Sequence, residues 1–480
     1  MNCFKTKAGI IKFVVSVAVG LIIAFLPASE GGLSREALIF LGLFVWFVIV
    51  SMFDLMQMYV SGLIVLAMLV LTKVLTFEQA FAQYASSTPW LIFGVLGMAA
   101  ALQATGLMNR IALWVLRPFP NTFGGQVTAL TAVSAVLGPA IPSSPAKSSL
   151  IASLAVPLSQ EAGYEKNSRA NAGLFTAYFA PVVLFSPIFV SGAVGVPSMM
   201  AFMPEIKFSW LSWFSTTWWF GVAILILVYF FILFFYGPKK AEKQAAKAKR
   251  AEMKAQGIEE EKLAAKKLKE MGPMSLNEKI GLIVLIVAIV LWITESFHGV
   301  STAMVGIAAL LILTLIGIFS EGDYVGKIPW PVFLIAGAVM TMAGQFGPLG
   351  ISSWIGATLT FLGPIAANPY ILVAVLCVLC YALRFFIPSQ LAIIAMMIAL
   401  FGSVAQDAGI SIFIVVWITW MITASWQTPF VNSSYFTAKG LIDQLCDHKY
   451  LRSGSYGVAL IVFAVSIASV PIWQLTGWIA

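Results

Sequence analysis

The chain has 480 residues, 60% hydrophobic and only 10% charged, with a mean hydropathy of +0.95. No soluble domain has an interior that could hide this apolar excess, so composition excludes a water-soluble protein and calls for many membrane-spanning helices. The net charge of +8 does not indicate nucleic-acid binding, because 11 Lys/Arg and 6 Asp/Glu fall between Lys239 and Glu270, a surplus of five in one solvated loop.

The first apolar run, Ala8–Leu26, follows Lys5 and Lys7 and is long enough to cross a bilayer, so residues 1–35 read as an uncleaved first helix and its outer loop. Spans are expected at 36–53 and 56–75, and one from Trp90 towards Arg117. The segment 122–162 is apolar but broken by Gly138-Pro139-Ala140-Ile141-Pro142-Ser143-Ser144-Pro145. Each arm is too short to cross comfortably, which predicts a re-entrant hairpin; irregular backbone at that depth must be buried or line a water-filled cavity. An interrupted span follows at 171–196, broken near Phe185-Ser186-Pro187, and an uncharged one at 213–236 closes a first unit, 36–236. Residues 237–276 form a Lys-rich linker, expected to be a short amphipathic or frayed helix that tethers the halves.

The pattern then restarts in a second unit, 277–480. Spans are expected at 279–296, 301–319 and 330–360, a second hairpin at 368–408, an interrupted span at 411–437 and a last span at 455–478. Shifting the numbering by 246 lays Ile141-Pro142-Ser143 on Ile387-Pro388-Ser389, and Gln160-Glu161-Ala162-Gly163 on Gln406-Asp407-Ala408-Gly409. Earlier marks, Val60-Ser61 with Val300-Ser301 and Pro89-Trp90 with Pro329-Trp330, match at 240. The expected fold class is therefore an all-α polytopic membrane protein with about eleven transmembrane helices plus two re-entrant hairpins, in two repeats.

Charge sets the orientation. With the N-terminus cytoplasmic and the C-terminus periplasmic, the inner segments carry Lys5, Lys7, Arg110, Arg117, Lys166, Arg169, the linker lysines, Lys327, Lys439, Lys449 and Arg452, and the outer ones only Arg35, Lys73 and Lys207. Five crossings separate the hairpins, so they enter from opposite sides and the repeats are inverted.

Where an element breaks inside the membrane, the N-terminal amides of its second half carry partial positive charge and make an anion site. Ser143, Ser144 and Ser148 supply small donors at the first tip, and Ser389 and Gln390 at the second. Ser186-Pro187 and Thr428-Pro429 with Asn432 do so at the interrupted spans. Taken singly, such residues also serve helix packing; their pairing across the repeats favours binding. Lys147 lies one turn past the first tip and Arg384 just before the second. Neither hairpin arm holds an acid before Glu161 or Asp407, so the expected ligand is a small anion. The competing reading for both cations is a bond to exposed carbonyls.

Other chemistry is poorly supported. Cys3, Cys377, Cys380 and Cys446 make no disulfide framework, and Cys377-x-x-Cys380 in an apolar helix reads as packing. His298 and His448 are the only histidines, which excludes a histidine-rich metal site. There is no Walker sequence and no Gly-x-Ser-x-Gly elbow. No enzyme activity and no cofactor is expected.

Pro89-Trp90 with Phe93, Thr105-Gly106-Leu107, their counterparts from Pro329-Trp330, and both tips with Ala146 and Ala392 give the chain a resemblance to the divalent anion/sodium symporter family of dicarboxylate, 2-oxoglutarate/malate and citrate carriers. The resemblance covers nearly the whole chain. It implies eleven spans, two hairpins, a homodimer in the bacterial inner membrane and an elevator motion. In that family each tip carries a Ser-Asn-Thr motif that holds a substrate carboxylate and helps form a sodium site, which would fall near Ser143 and Ser389. Here Ser143-Ser144-Pro145 and Ser389-Gln390-Leu391 keep the first Ser but lose Asn and Thr. Pro145 and Leu391 offer no side-chain oxygen to sodium, and Lys147 could supply fixed positive charge in its place. The expectation is thus a carrier of small di- or tricarboxylates or similar anions, working by anion exchange or proton coupling. The alternatives are sodium symport, or a channel-like or regulatory protein on the same fold.

Overall fold

The computed structural model describes residues 6–480 other than 29–31, 241, 245–246, 249–250, 252–262, 329, 359–362 and 429–430. Among these, eight helices are long and apolar enough to cross a membrane, from Lys7–Ala24 to His448–Leu475, and shorter apolar helices fill the intervals. The described fold is all-helical, with a single isolated β-bridge, Ile410 to Ile479.

The two units follow one plan. Helices Arg35–Met52, Met58–Leu71 and Ser87–Ala104 of the first correspond to Leu276–Ile293, Thr302–Leu315 and Trp330–Gly344 of the second. Six aromatics mark the relation between the units. Trp90 Nε1–H donates to the Tyr84 carbonyl at 3.1 Å, and Trp330 Nε1–H to the Tyr324 carbonyl at 2.9 Å. Phe93 meets Trp330 and Trp90 meets Phe333, each with ring centroids 5.6 Å apart. Each contact is answered by its exchange partner at an offset of 240, the signature of a two-fold relation.

The offset does not hold further upstream, where the expected match of Val60-Ser61 to Val300-Ser301 fails. Gly62 lies against Ile335 and Ala338, while Gly306 lies against Gly94 and Val95, so these two glycines are the equivalent close-approach points, 244 apart. Four extra residues before Tyr84 absorb the difference, where the first unit runs Phe77–Phe81 into a 3₁₀ turn, Ala82–Ala85, and the second has the single helix Glu321–Gly326. Two expected spans are also divided. Gly106 takes φ +83° between Ser87–Ala104 and Leu107–Leu116, and Gly350 takes φ +70° between Trp330–Gly344 and Ile351–Thr358. These left-handed glycines turn the chain, because a side chain there would be strained.

The two hairpins, Phe123–Val136 with Ser144–Glu161 and Pro369–Leu383 with Gln390–Asp407, open to opposite ends of the molecule. The last helix shows this directly: its 28 residues, His448–Leu475, span about 42 Å at 1.5 Å per residue. At its start, Asn167 just beyond the first hairpin donates to the Leu445 carbonyl at 2.9 Å. Past its end, Ala480 N–H donates to the carbonyl of Gly409, at the base of the second hairpin, at 2.9 Å.

The linker ends in the helix Leu263–Met271, which packs on Leu107–Leu116. Beside it Arg110 closes a nearly buried pair with Glu278, Nε to Oε1 at 2.8 Å and Nη2 to Oε2 at 3.2 Å, and donates to the Gly272 carbonyl at 2.9 Å. This joins the first unit to the start of the second. Removing one partner of a buried ion pair costs about 3–5 kcal/mol, whereas an exposed pair contributes about 0–1. Arg110→Ala should therefore lower the melting midpoint in detergent far more than Lys327→Ala, which removes the more exposed pair with Asp323; equal shifts would show that the Arg110 pair contributes no more than a surface one.

Candidate functional site at the hairpin tips

Both tips end in the same local device. Ser143 and Ser389 sit in extended conformation as N-caps, each hydroxyl accepting from the amide three residues on, Ala146 at 3.3 Å and Ala392 at 3.2 Å. Such a cap is worth about 1 kcal/mol. At the second interrupted span, Asn432 caps Ser433–Leu445, its Oδ1 accepting from Ser434 and Tyr435 at 3.0 and 3.2 Å. Its Nδ2 reaches back to the Ala424 and Ser425 carbonyls at 3.2 and 3.3 Å, bridging the break.

The three capped N-termini meet at one cavity of about 470 Å³, lined by Ser144, Pro145, Pro187, Arg384, Ser389, Gln390, Leu391, Asn432, Ser433 and Ser434 among others. That volume lies within the roughly 300–1,000 Å³ of small-molecule sites. Among the described residues no carboxylate lines it, and Arg384 is its one formal charge. First-turn amides have no intrahelical partner. With Ala146, Ala392, Ser434 and Tyr435 taken by the caps, the amides of Ser144, Gln390, Leu391 and Ser433 remain for a ligand.

Arg384 is 2% exposed, and its guanidinium ties the second tip to the second break: it donates to the carbonyls of Ile387 (3.2 Å), Pro388 and Val431. Its Nε is buried and has no partner among the described residues. The first tip is tied by an analogous pair of bonds. Val194 N–H donates to the Pro142 carbonyl at 3.0 Å, and Lys147 Nζ donates to the Gly192 carbonyl at 2.6 Å and reaches that of Gly138 at 3.5 Å. A Cβ at Gly192 would stand 2.0 Å from the Ser186 carbonyl, so only glycine lets the backbone fold this tightly.

The expected residues thus divide. Ser144, Pro187, Arg384, Ser389, Gln390 and Asn432 line the shared cavity. Gln390 turns its Nε2 onto the Trp420 carbonyl and Thr423 hydroxyl, at 3.2 and 3.3 Å, and so offers the cavity its main-chain amide. Lys147 is fully buried and occupied by carbonyls rather than exposed on the cavity wall, the alternative its type allowed. Ser148 and Ser186 are fully buried behind the wall, Ser186 bonding back to the Pro181 carbonyl. Thr428 lies in the second break with its hydroxyl buried and unpartnered, and Pro429 lies outside the described residues. Ser143 faces a neighbouring cavity of about 490 Å³ between the first tip and the Ser87–Ala104 helix, which shares Pro142 and Val194 with the first and contains Lys327. Ser433 and Ser434 were missed, although Asn432-Ser433-Ser434 has the cap-plus-serine pattern already singled out at Ser143-Ser144.

Comparison with known proteins shows the family. The model of the sodium:sulfate symporter transmembrane region matches residues 7–479. The chain belongs to this family. It is 28% identical over 412 residues to the chloroplastic dicarboxylate transporter 1 of Arabidopsis thaliana, covering 84% of this chain and 71% of that one. It is 26% identical over 327 residues to the L-tartrate/succinate antiporter of Escherichia coli O6:K15:H31, covering 65% and 63%. Among solved structures, the YdaH transporter of Alcanivorax borkumensis shares the fold with a TM-score of 0.57 over 91% of this chain and 98% of that one, at 13% identity. The chain is a membrane transporter and not an enzyme.

Arg384→Lys keeps the charge but cannot hold three carbonyls in a planar fork. Loss of both thermal stability and transport is expected, read by melting in detergent and uptake in liposomes. Wild-type uptake in this variant would show that charge alone matters at the second tip.

Proposed function

We propose that this protein is a secondary carrier of small dicarboxylates, with the two carboxylates held between the hairpin tips. The observation that carries this is the convergence of both tips on one cavity without acids. Each helix N-terminus is equivalent to roughly half a positive charge, so three of them with Arg384 present roughly +2.5, which suits a dianion better than a monoanion. The amides of Ser144 on one side and of Gln390, Leu391 and Ser433 on the other suit two separate anionic ends. The names of the plant and bacterial relatives, a dicarboxylate transporter and a tartrate/succinate antiporter, support the same class.

Exchange is the favoured coupling. Sodium needs a tight shell of oxygens, and at the first tip the Gly192 and Gly138 carbonyls already hold the Lys147 ammonium. Lys147 then acts as a tethered cation, balancing the anion from behind the wall instead of touching it. The carrier works as a homodimer in the plasma membrane with its N-terminus cytoplasmic. Both hairpins and interrupted spans move against the remaining helices.

Liposomes loaded with unlabelled malate or succinate should take up labelled dicarboxylate by saturable counterflow without sodium; linear, unsaturable flux would remove the carrier reading. Lys147→Ala leaves two buried carbonyls unpaired and opens a cation-sized gap. Its uptake should fall to background or become dependent on added sodium. Unchanged, sodium-independent kinetics would mean that the ammonium plays no part in coupling.

A further inference from the structure

A second built cavity lies away from the tips, at the end of the molecule where the linker begins. It holds about 450 Å³ between the helices Arg169–Ala180, Trp210–Tyr236 and His448–Ala468. Its lining combines two cations, Arg169 and Lys449, with Phe231, Phe235, Tyr236 and Tyr450. We propose that this cavity is a binding site for one anionic phospholipid, with the phosphate between Arg169 and Lys449 and an acyl chain along Phe231 and Phe235.

The charge balance supports an anion. The acids nearby are already engaged: Asp447 pairs with Lys166 at 2.8 Å and accepts from Asn167 Nδ2 at 3.1 Å, which holds its carboxyl below the usual range. Glu242 accepts from the backbone amides of Arg169 and Lys239, each at 3.1 Å. Arg169 gives one guanidinium N–H to the Phe235 carbonyl, and Lys449 lies 5.0 Å from the Tyr450 ring; among the described residues neither forms an ion pair. The lysine-rich linker begins directly after Tyr236, with Lys239 and Lys240 within four residues of it, and adds to the positive potential.

The apolar side favours a lipid over a free anion. Phe235 is 61% exposed and Tyr450 40% exposed, so the mouth opens at the belt where aromatics meet headgroups. A Cβ at Gly457 would stand 2.2 Å from Phe231 Cζ, so the glycine lets the tip of this ring close in on the last helix and wall the groove. Tyr236 and Ser453 hydroxyls, 2.8 Å apart, leave polar atoms at the headgroup level. Basic pockets of this kind between spans on the cytoplasmic side are suited to anionic headgroups.

Purified full-length protein in detergent tests this. Addition of phosphatidylglycerol should raise the melting midpoint by several degrees where phosphatidylcholine does not, and native mass spectrometry should retain one phosphatidylglycerol per chain. Lys449→Glu, at an exposed position, should lose both effects; Arg169→Ala should do the same if it folds. An equal response to phosphatidylcholine, or an unchanged response in Lys449→Glu, overturns the site. A shift of the same size with inorganic phosphate alone would also overturn it, since the ligand would then be a free anion.

Discussion

What the rest of this structure depends on is the satisfaction of backbone carbonyls freed where helices stop inside the membrane. Each broken element leaves carbonyls that water cannot reach, and an unsatisfied buried group costs about 1–3 kcal/mol. The chain meets this with two cations. Lys147 takes the Gly192 and Gly138 carbonyls, and Arg384 takes those of Ile387, Pro388 and Val431. Each cation thereby fixes one hairpin tip to its own interrupted span, so that tip and break form one rigid body. Burying a charge is expensive, yet here it replaces several separate penalties with one hydrogen-bonded group.

That solution decides the electrostatics of the cavity. With the carbonyl ends neutralised from behind, the groups left facing inwards are first-turn amides and serine hydroxyls. The N-caps take only the third amide at each tip and leave the first ones open. An anion entering the cavity therefore meets donors that are already oriented, which is the condition under which a modest dipole becomes a strong site.

Much of this was legible in the sequence, and what was not has a common cause. The duplicated Ile-Pro-Ser at 141 and 387, and the glycines 163 and 409 that end both helices with φ +74° and +76°, are local features, and local features repeat in register. The division of the fourth span at Gly106 was also a local signal, but inside an apolar run it looked like any membrane glycine. Long-range partners were hidden. The bond from Lys147 to Gly192 spans 45 residues, and that from Arg384 to Val431 spans 47. Spacing could show that both cations lie near tips; it could not show whether they face the cavity or the backbone behind it. The slip from 240 to 244 between the units was hidden likewise, because four extra residues shift numbering without disturbing hydropathy.

The two-fold relation is obeyed in the aromatic cluster and broken around the tips, and the difference has mechanical meaning. Gly195–Ala201, after the first break, packs on Ser87–Ala104 and Trp330–Gly344. Its counterpart Ser433–Leu445 packs on Ser144–Glu161 and Arg169–Ala180 instead. A protein whose halves share one plan can realise two mirror-related arrangements of nearly equal energy, each exchanging the environments of the equivalent elements. In the packing described here, one break is closed against Ser87–Ala104 and Trp330–Gly344, while the other is turned to the first unit's hairpin. The neighbouring cavity beside Ser143 shares Pro142 and Val194 with the site and lies against the same Ser87–Ala104 helix. Because Lys147 fastens the first tip to Gly192 and Arg384 fastens the second to Val431, neither tip can shift without its own break.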